Sequence, residues 1–317
     1  MSEASRWRGK RVVATVNAAA GFFQNNSEAE NRLGDILRAH FPGIEVLWLS
    51  PDRIAPEVRR AIQNGADLVL VAGGDGTTNA VANLLAGADV ALGVLPGGTF
   101  NYVAKDMGVP EPMETAVEAL AEGMIRPVDL SEVNGRFFLH NAALGIHPHA
   151  VERRERYREE WGIGKAIAVT YALLEAIWNP PLLEGHLHSR ERAEFIRAPF
   201  VFVGNNTYET APFAFIQRKS LNDGQLSVFY AQRVPPATLF LMAFRTLLKR
   251  RLKEVPELER IQTRSMTIDS RKKKLKVLLD GELIRMKPPL EFRVRPGLLR
   301  ALIPPAARKP PAAADVG

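Results

Sequence analysis

The chain has 317 residues, 46% hydrophobic and 24% charged, a composition that fits a globular protein large enough for two domains. It has no cysteine, which excludes disulfides and thiolate metal sites, and no apolar run approaches the ~20 residues of a membrane-spanning helix. The net charge of +7 is uneven: residues 1–150 hold 12 Lys/Arg against 17 Asp/Glu, whereas residues 151–317 hold 30 against 18, so the second half is expected to face something anionic.

Met1 to Lys10 is polar and basic with no apolar stretch behind it, so no secretory leader is expected and the chain is read as cytoplasmic. The first part alternates strand and helix patterns. Arg11 to Val16 reads as a strand ending at Asn17, and Ser27 to His40 as a helix opened by a capping-box pair, Ser27 and Glu30. A strand over Ile44 to Leu49 and a helix over Ile54 to Asn64 follow, the latter closed by Gly65. Leu68 to Ala72 is a fully apolar run, the mark of a buried strand, and Val90 to Leu95 is another. This order predicts a parallel sheet with helices on its faces, and binding groups at the carboxyl ends of its strands.

After about Met124 the apolar runs alternate, and Asn134-Gly135, Asp223-Gly224 and Asp280-Gly281 read as hairpin turns. The second half is therefore expected to be antiparallel and β-rich. It should also hold helices near Gly164–Trp178 and Pro236–Lys253, and an exposed one at Arg153–Arg158. The Pro/Ala-rich segment 304–317 has little to bury and is expected to be disordered.

The segment Gly73-Gly74-Asp75-Gly76-Thr77 joins a buried strand to a helix start. Glycines there let the backbone approach an anion closely, and the helix N-terminus favours negative charge, which is phosphate-binding chemistry. Asp75 is out of place against a phosphate, so a proton acceptor, a metal contact or a sugar contact is expected of it. A second glycine turn, Pro96-Gly97-Gly98-Thr99, again offers backbone N–H groups and a hydroxyl. Neither the phosphate-loop pattern ending in Gly-Lys-Ser/Thr nor a dinucleotide Gly-x-Gly-x-x-Gly at the first helix is present. His147 and His149, like His186 and His188, lie two residues apart, which on a strand is one face, but they have no acidic partner at ligand spacing. Arg271 to Lys274 has no aromatic interleaving, so no nucleic-acid partner is expected.

These segments together resemble the lipid kinases that share a diacylglycerol kinase catalytic domain, including sphingosine kinases and bacterial relatives. The resemblance rests on Val16-Asn17 with Gly21, Gly73 to Thr77, and Leu95-Pro96-Gly97-Gly98-Thr99-Phe100-Asn101 with the following Lys105 to Pro110. It continues through Val203 to Asn206, Asn222 to Leu226 and Leu279 to Glu282. It implies an N-terminal three-layer α/β nucleotide-binding domain over 1–124, rejoined by about 297–303, and a C-terminal antiparallel β-sandwich over 125–296 with the lipid in a cleft. It also implies Mg-ATP as phosphoryl donor, with Asn17, Ser50, Gly73, Gly74, Asp75, Gly76, Thr77 and Thr99 at the ATP site. Asp75 and Glu282 would be catalytic, Glu282 as proton acceptor, and Ser220, Asp223 and Gln225 would hold Mg²⁺ through one carboxylate and two carbonyls. The partner implied is a lipid at an anionic membrane surface, with diacylglycerol the first acceptor to test. Two departures stand out: Tyr102 replaces a usual acidic residue, and Ala18 follows Asn17 where proline is usual. An NAD kinase-like enzyme and a non-catalytic lipid- or nucleotide-binding protein share parts of the pattern.

Overall fold

In a computed structural model of the protein, the residues described are 6–23, 27–161, 164–208, 218, 220–232, 234–235, 238 and 258–305. They fall into two compact units, Met1–Val128 with Leu298–Gly317, and Asp129–Gly297. The expected helix over Pro236–Lys253 and nearly all of the 304–317 tail lie outside the described residues.

The first unit runs β1 (Val12–Asn17), α1 (Ser27–His40), β2 (Glu45–Leu49), α2 (Pro51–Gln63), β3 (Leu68–Gly73), α3 (Asp75–Leu85), β4 (Ala91–Pro96), α4 (Tyr102–Asp106) and α5 (Met113–Ala121). The strands pair in parallel in the order β2-β1-β3-β4. Every residue of β1, β3 and β4 is buried, so both faces of the sheet are covered, as near-continuous apolar strands require. In register, Gly73 stands beside Pro96 and Asn17 beside Leu49, which brings the loops after β1, β2, β3 and β4 to one edge of the sheet. Helix α2 starts at Pro51, three residues earlier than its apolar pattern, because proline is suited to a first helical position.

Strand β5 (Met124–Val133) leads into the second unit. There follow β6 (Arg136–Phe138), β7 (Asn141–Gly145), α6 (Ile146–Trp161), α7 (Lys165–Trp178), β8 (Leu183–Ser189), β9 (Ala193–Ala198), β10 (Phe200–Asn205), β11 (Leu226–Ala231), β12 (Leu258–Thr263), β13 (Ser265–Asp269), β14 (Leu275–Leu279), β15 (Glu282–Met286) and β16 (Leu290–Ile303). One antiparallel sheet has the order β12-β11-β10-β7-β14-β15. In the other, β8 pairs with β9 and β13, and β13 with the first residues of β16. Val201, Val228 and Val277 from the first of these sheets share one core with Leu187, Ile268 and Phe292 from the second, which makes a sandwich. The last residues of β16 belong to the first unit, where Arg300 and Ala301 lie parallel to Ala91 and Leu92 of β4.

Two of the three expected hairpin turns form at positive φ: Asn134-Gly135 at 47° and 80°, and Asp280-Gly281 at 46° and 91°. Asp223-Gly224 is not a two-residue hairpin turn: it lies just before β11 in the longer connection between the paired strands β10 and β11. The Asp223 carboxylate accepts the N–H of Thr207 (2.9 Å) and of Gln225 (3.1 Å), so it braces the loop ahead of β11. His147 and His149 also depart from the strand reading, because they open helix α6, where a two-residue spacing points them to different faces.

Two buried carboxylates organise this unit. Asp129 accepts the N–H of Gly224 and of Gly297, each at 2.8 Å. Asp280 accepts from Leu139 (2.7 Å), His140 (2.8 Å) and Asn141 (2.9 Å). Burial pushes the Asp280 carboxyl up to about 6, against the opposing pull of those three N–H groups. Asp280 therefore contributes stability below its unfolded value of 3.8, and that contribution is lost as pH rises through about 6. Asp280→Asn should melt below the parent protein, because an amide lacks one of the acceptors, and the gap should narrow between pH 4 and pH 7. A gap in thermal melts that widens over that interval contradicts the burial argument.

Candidate functional site

At the end of β3 the chain turns through Gly73 and Gly74 into α3, with Gly74 as its N-cap. The helix rule leaves the first N–H groups of α3 without acceptors along the helix, and they face the turn with the positive end of the helix dipole. The end of β4 lies against this turn. A Cβ on Gly97 would stand 2.8 Å from the Gly73 nitrogen, and one on Gly98 would stand 2.6 Å from the Gly74 Cα. The glycines are thus fixed by backbone packed on backbone.

The second turn spends its own amides. Gly97 N–H donates to the Gly73 carbonyl (3.2 Å), and Gly98 N–H donates to Asn101 Oδ1 (2.8 Å). The Gly97 and Gly98 amides, which the sequence reading offers to an anion, are therefore engaged within the protein, while Thr99 is exposed. Asn101, which caps α4 at φ 51°, also donates through Nδ2 to Glu111 Oε1 (3.1 Å). Its clip on the loop needed a backbone fold to be seen, although the left-handed region is one that asparagine tolerates.

Asn17 Nδ2 donates to the Thr77 hydroxyl (2.9 Å), which joins the end of β1 to the first turn of α3. Asp75 Oδ1 accepts the Val103 N–H (3.1 Å), so this half-buried carboxylate ties α3 to α4. Tyr102 stacks on Phe100 with ring centroids 5.4 Å apart, and partial burial together with the Asp75 charge raises the phenol above its usual range. Ser50 is the N-cap of α2, one residue beyond Leu49, and a hydrogen bond from its side chain helps hold the Asp52 carboxyl below its usual range.

In the second unit Glu282 opens β15 as an exposed residue paired with Leu279. Ser220 Oγ is bonded to Asn222, and the Gln225 carbonyl accepts the Asn206 N–H (2.8 Å). Together with Asp223 this is an all-oxygen set in which each engaged acceptor keeps a second lone pair, a donor chemistry that suits a hard cation with water completing its shell. Among the described residues, no group of three or more His, Asp or Glu is placed to hold a metal ion. Asn205 missed notice as a site residue, yet it is buried and bonds Asp129 O, Leu139 O and the Ser131 hydroxyl. Beside it Gly204 lies under Tyr208, whose ring leaves no room for a side chain.

The first unit is thus an α/β domain in which a glycine turn joins a buried parallel strand to a helix N-terminus. Residues 11–133 match the family model described as the diacylglycerol kinase catalytic domain. A diacylglycerol kinase of Mycobacterium tuberculosis (strain ATCC 25618 / H37Rv) is 28% identical over 307 residues, 93% of this chain and 95% of that protein. One from Bacillus subtilis (strain 168) is 44% identical over 82 residues, 25% of this chain and 27% of that protein. The chain spans 27% to 55% of the length of the first relatives it matches. A crystal structure of a diacylglycerol kinase from Bacillus anthracis str. Sterne has the same fold, with a TM-score of 0.69 at 19% identity over 94% of this chain and 98% of that one. The chain is thus similar to lipid kinases that carry the diacylglycerol kinase catalytic domain.

The packing of the two turns makes a paired prediction. Gly98→Ala should destabilise the protein by about 1–3 kcal/mol, because its Cβ meets backbone rather than a side chain that can move. Gly76→Ala has no atom within 4 Å of its new Cβ and should leave the melting temperature unchanged or higher. Calorimetry of both variants checks the pair.

Proposed function

We propose that this protein is a lipid kinase that transfers the γ-phosphoryl group of Mg-ATP to a hydroxyl of a membrane lipid. The observation that carries the reading is the turn at Gly73–Gly74, held by glycine-on-glycine contact and opening onto the N-terminus of α3. Such a turn accepts a polyphosphate and neutralises part of its charge. In this reading Gly74, Asp75, Gly76 and Thr77 receive the phosphates through backbone N–H groups, and Asn17 fixes the Thr77 hydroxyl. Gly73 leaves room for the Thr77 side chain, and Thr99 and Ser50 border the site. Phosphoryl transfer needs positioning, charge neutralisation and a proton acceptor for the attacking hydroxyl. Mg²⁺ arrives with ATP as part of the substrate. Asp75 orients the nucleotide end of the reaction through its fixed carboxylate, and Glu282 is the proton acceptor. A second Mg²⁺ on Ser220, Asp223 and Gln225 would brace the loop before β11.

Diacylglycerol is the first acceptor to test, since it is the substrate named for the M. tuberculosis and B. subtilis relatives. Radiolabelled ATP with a total lipid extract, followed by identification of the labelled lipid, tests the reading. With NAD added to a parallel reaction, label in NAD rather than in lipid would turn the assignment to an NAD kinase, and no transfer at all would leave a binding protein. No helix among the described residues is long and apolar enough to cross a membrane, so a lipid acceptor is expected to be met at the bilayer surface, with the protein peripheral.

Asp75→Asn is expected to lower turnover by about 10²–10⁴ while the fold survives, because the amide oxygen still accepts the Val103 N–H. Glu282→Gln should cost a similar factor with ATP affinity unchanged. If Glu282 only completes the Asp280-Gly281 hairpin, turnover stays at the parent level.

A further inference from the structure

Helix α7 carries an apolar stripe on the outside of its own unit. Ala168, Ala172 and Ala176 are buried, whereas Ile167, Tyr171, Leu174 and Trp178 are 53%, 52%, 48% and 85% exposed. At 100° per residue the exposed four fall on one face, since their spacings of four, three and four residues keep them within about 60°. Trp161 of α6 extends the patch. It stacks on Tyr157 (4.3 Å between ring centroids) and meets the Tyr171 ring edge-on at 5.7 Å. Such a patch is unusual on a protein surface, and its tryptophan and tyrosine rings are the ones that favour a water–lipid boundary.

A second feature adjoins the end of the stripe. Four residues after Trp178 the chain reaches Leu182, whose carbonyl accepts the ammonium of Lys272 at 3.0 Å. Four residues of extended chain span at most about 14 Å, so the basic turn Arg271-Lys272-Lys273-Lys274 lies close to the Trp178 end of α7. All four of its side chains are exposed. Beneath it Lys272, Lys274, Lys276, His149 and Pro181 line a cleft of about 180 Å³. Apolar and cationic groups side by side match a bilayer whose surface carries phosphate headgroups.

We propose that the exposed face of α7 and the Arg271–Lys274 turn form one docking surface for an anionic phospholipid bilayer, with the rings entering the interface and the cations holding headgroup phosphates. This deepens the lipid-kinase reading by naming how the enzyme meets its substrate, but it is testable without turnover. Co-sedimentation with phosphatidylcholine vesicles containing 30% phosphatidylglycerol is measured for the full chain, without ATP, in low and physiological salt. The parent should bind and lose affinity as salt rises. Replacing Arg271 to Lys274 by Gln should weaken binding at least tenfold in low salt and flatten the salt dependence. The double variant Leu174→Ser, Trp178→Ser should weaken it at least tenfold in both salts, with thermal melts confirming that each variant folds. Bromine-labelled lipid should quench parent fluorescence, and the double variant Trp161→Phe, Trp178→Phe should lose most of that quenching while still binding.

Unchanged vesicle binding in both the Gln variant and the Ser double variant overturns the proposal, as does equal binding to vesicles without phosphatidylglycerol. If the stripe instead mediates self-association, sedimentation will show a dimer that Leu174→Ser, Trp178→Ser dissociates without changing vesicle binding, and the proposal falls. Turnover on a short-chain, water-soluble acceptor separates the two readings. Its absence rejects the kinase assignment, whereas the vesicle results decide the docking surface.

Discussion

The close approach of two strand ends is the constraint on which the first unit depends. Beside Gly73 and Gly74, the backbone of Gly97 and Gly98 comes so near that no side chain fits between them. That contact sets the direction of the turn after β3, and the turn sets where α3 begins. Because the second turn uses its Gly97 and Gly98 N–H groups on Gly73 and Asn101, it buttresses the first. Asp75 extends the same logic, since its carboxylate reaches across to the first turn of α4. Its carboxylate is thereby held in place by a backbone N–H.

In the second unit the equivalent work falls to buried carboxylates. Asp129 and Asp280 each accept backbone N–H groups, and each gathers segments distant in the chain: Asp129 reaches Gly224 and Gly297, and Asp280 reaches Leu139 to Asn141. A carboxylate with several amide donors satisfies groups that would otherwise be buried without partners, so the loops at this end of the sandwich are specified rather than merely tolerated. The Asp280-Gly281 hairpin that carries Glu282 is anchored this way, which gives an exposed side chain a rigid base.

Local features of the sequence predicted local features of the fold. The apolar runs around Leu70 and Val94 were readable as buried strands because parallel strands covered on both faces have no polar positions. Gly73 to Thr77 was readable because glycine at a strand end has few other uses, and Asn134-Gly135 because both residues adopt positive φ readily. Asp223-Gly224 misled for the same reason: the dipeptide is common to hairpins and to loops braced by an aspartate, and only Thr207, 16 residues away, distinguishes them. The internal use of the Gly97 and Gly98 amides, the roles of Asp129 and Asn205, and the outward face of α7 all depend on tertiary placement. No periodicity records them, since a stripe of Ile, Tyr, Leu and Trp reads equally well as a core-facing helix.

In the lipid-kinase reading proposed above, the amides at the start of α3, and not those of the second turn, receive the nucleotide phosphates. Glycine-selective ¹⁵N labelling of the full chain, titrated with Mg-ATP, measures this directly. The account predicts large shifts of the Gly74 and Gly76 amide resonances at saturation, with smaller ones at Gly97 and Gly98, whose N–H groups already have acceptors. Saturable ATP binding that leaves Gly74 and Gly76 unmoved would contradict it.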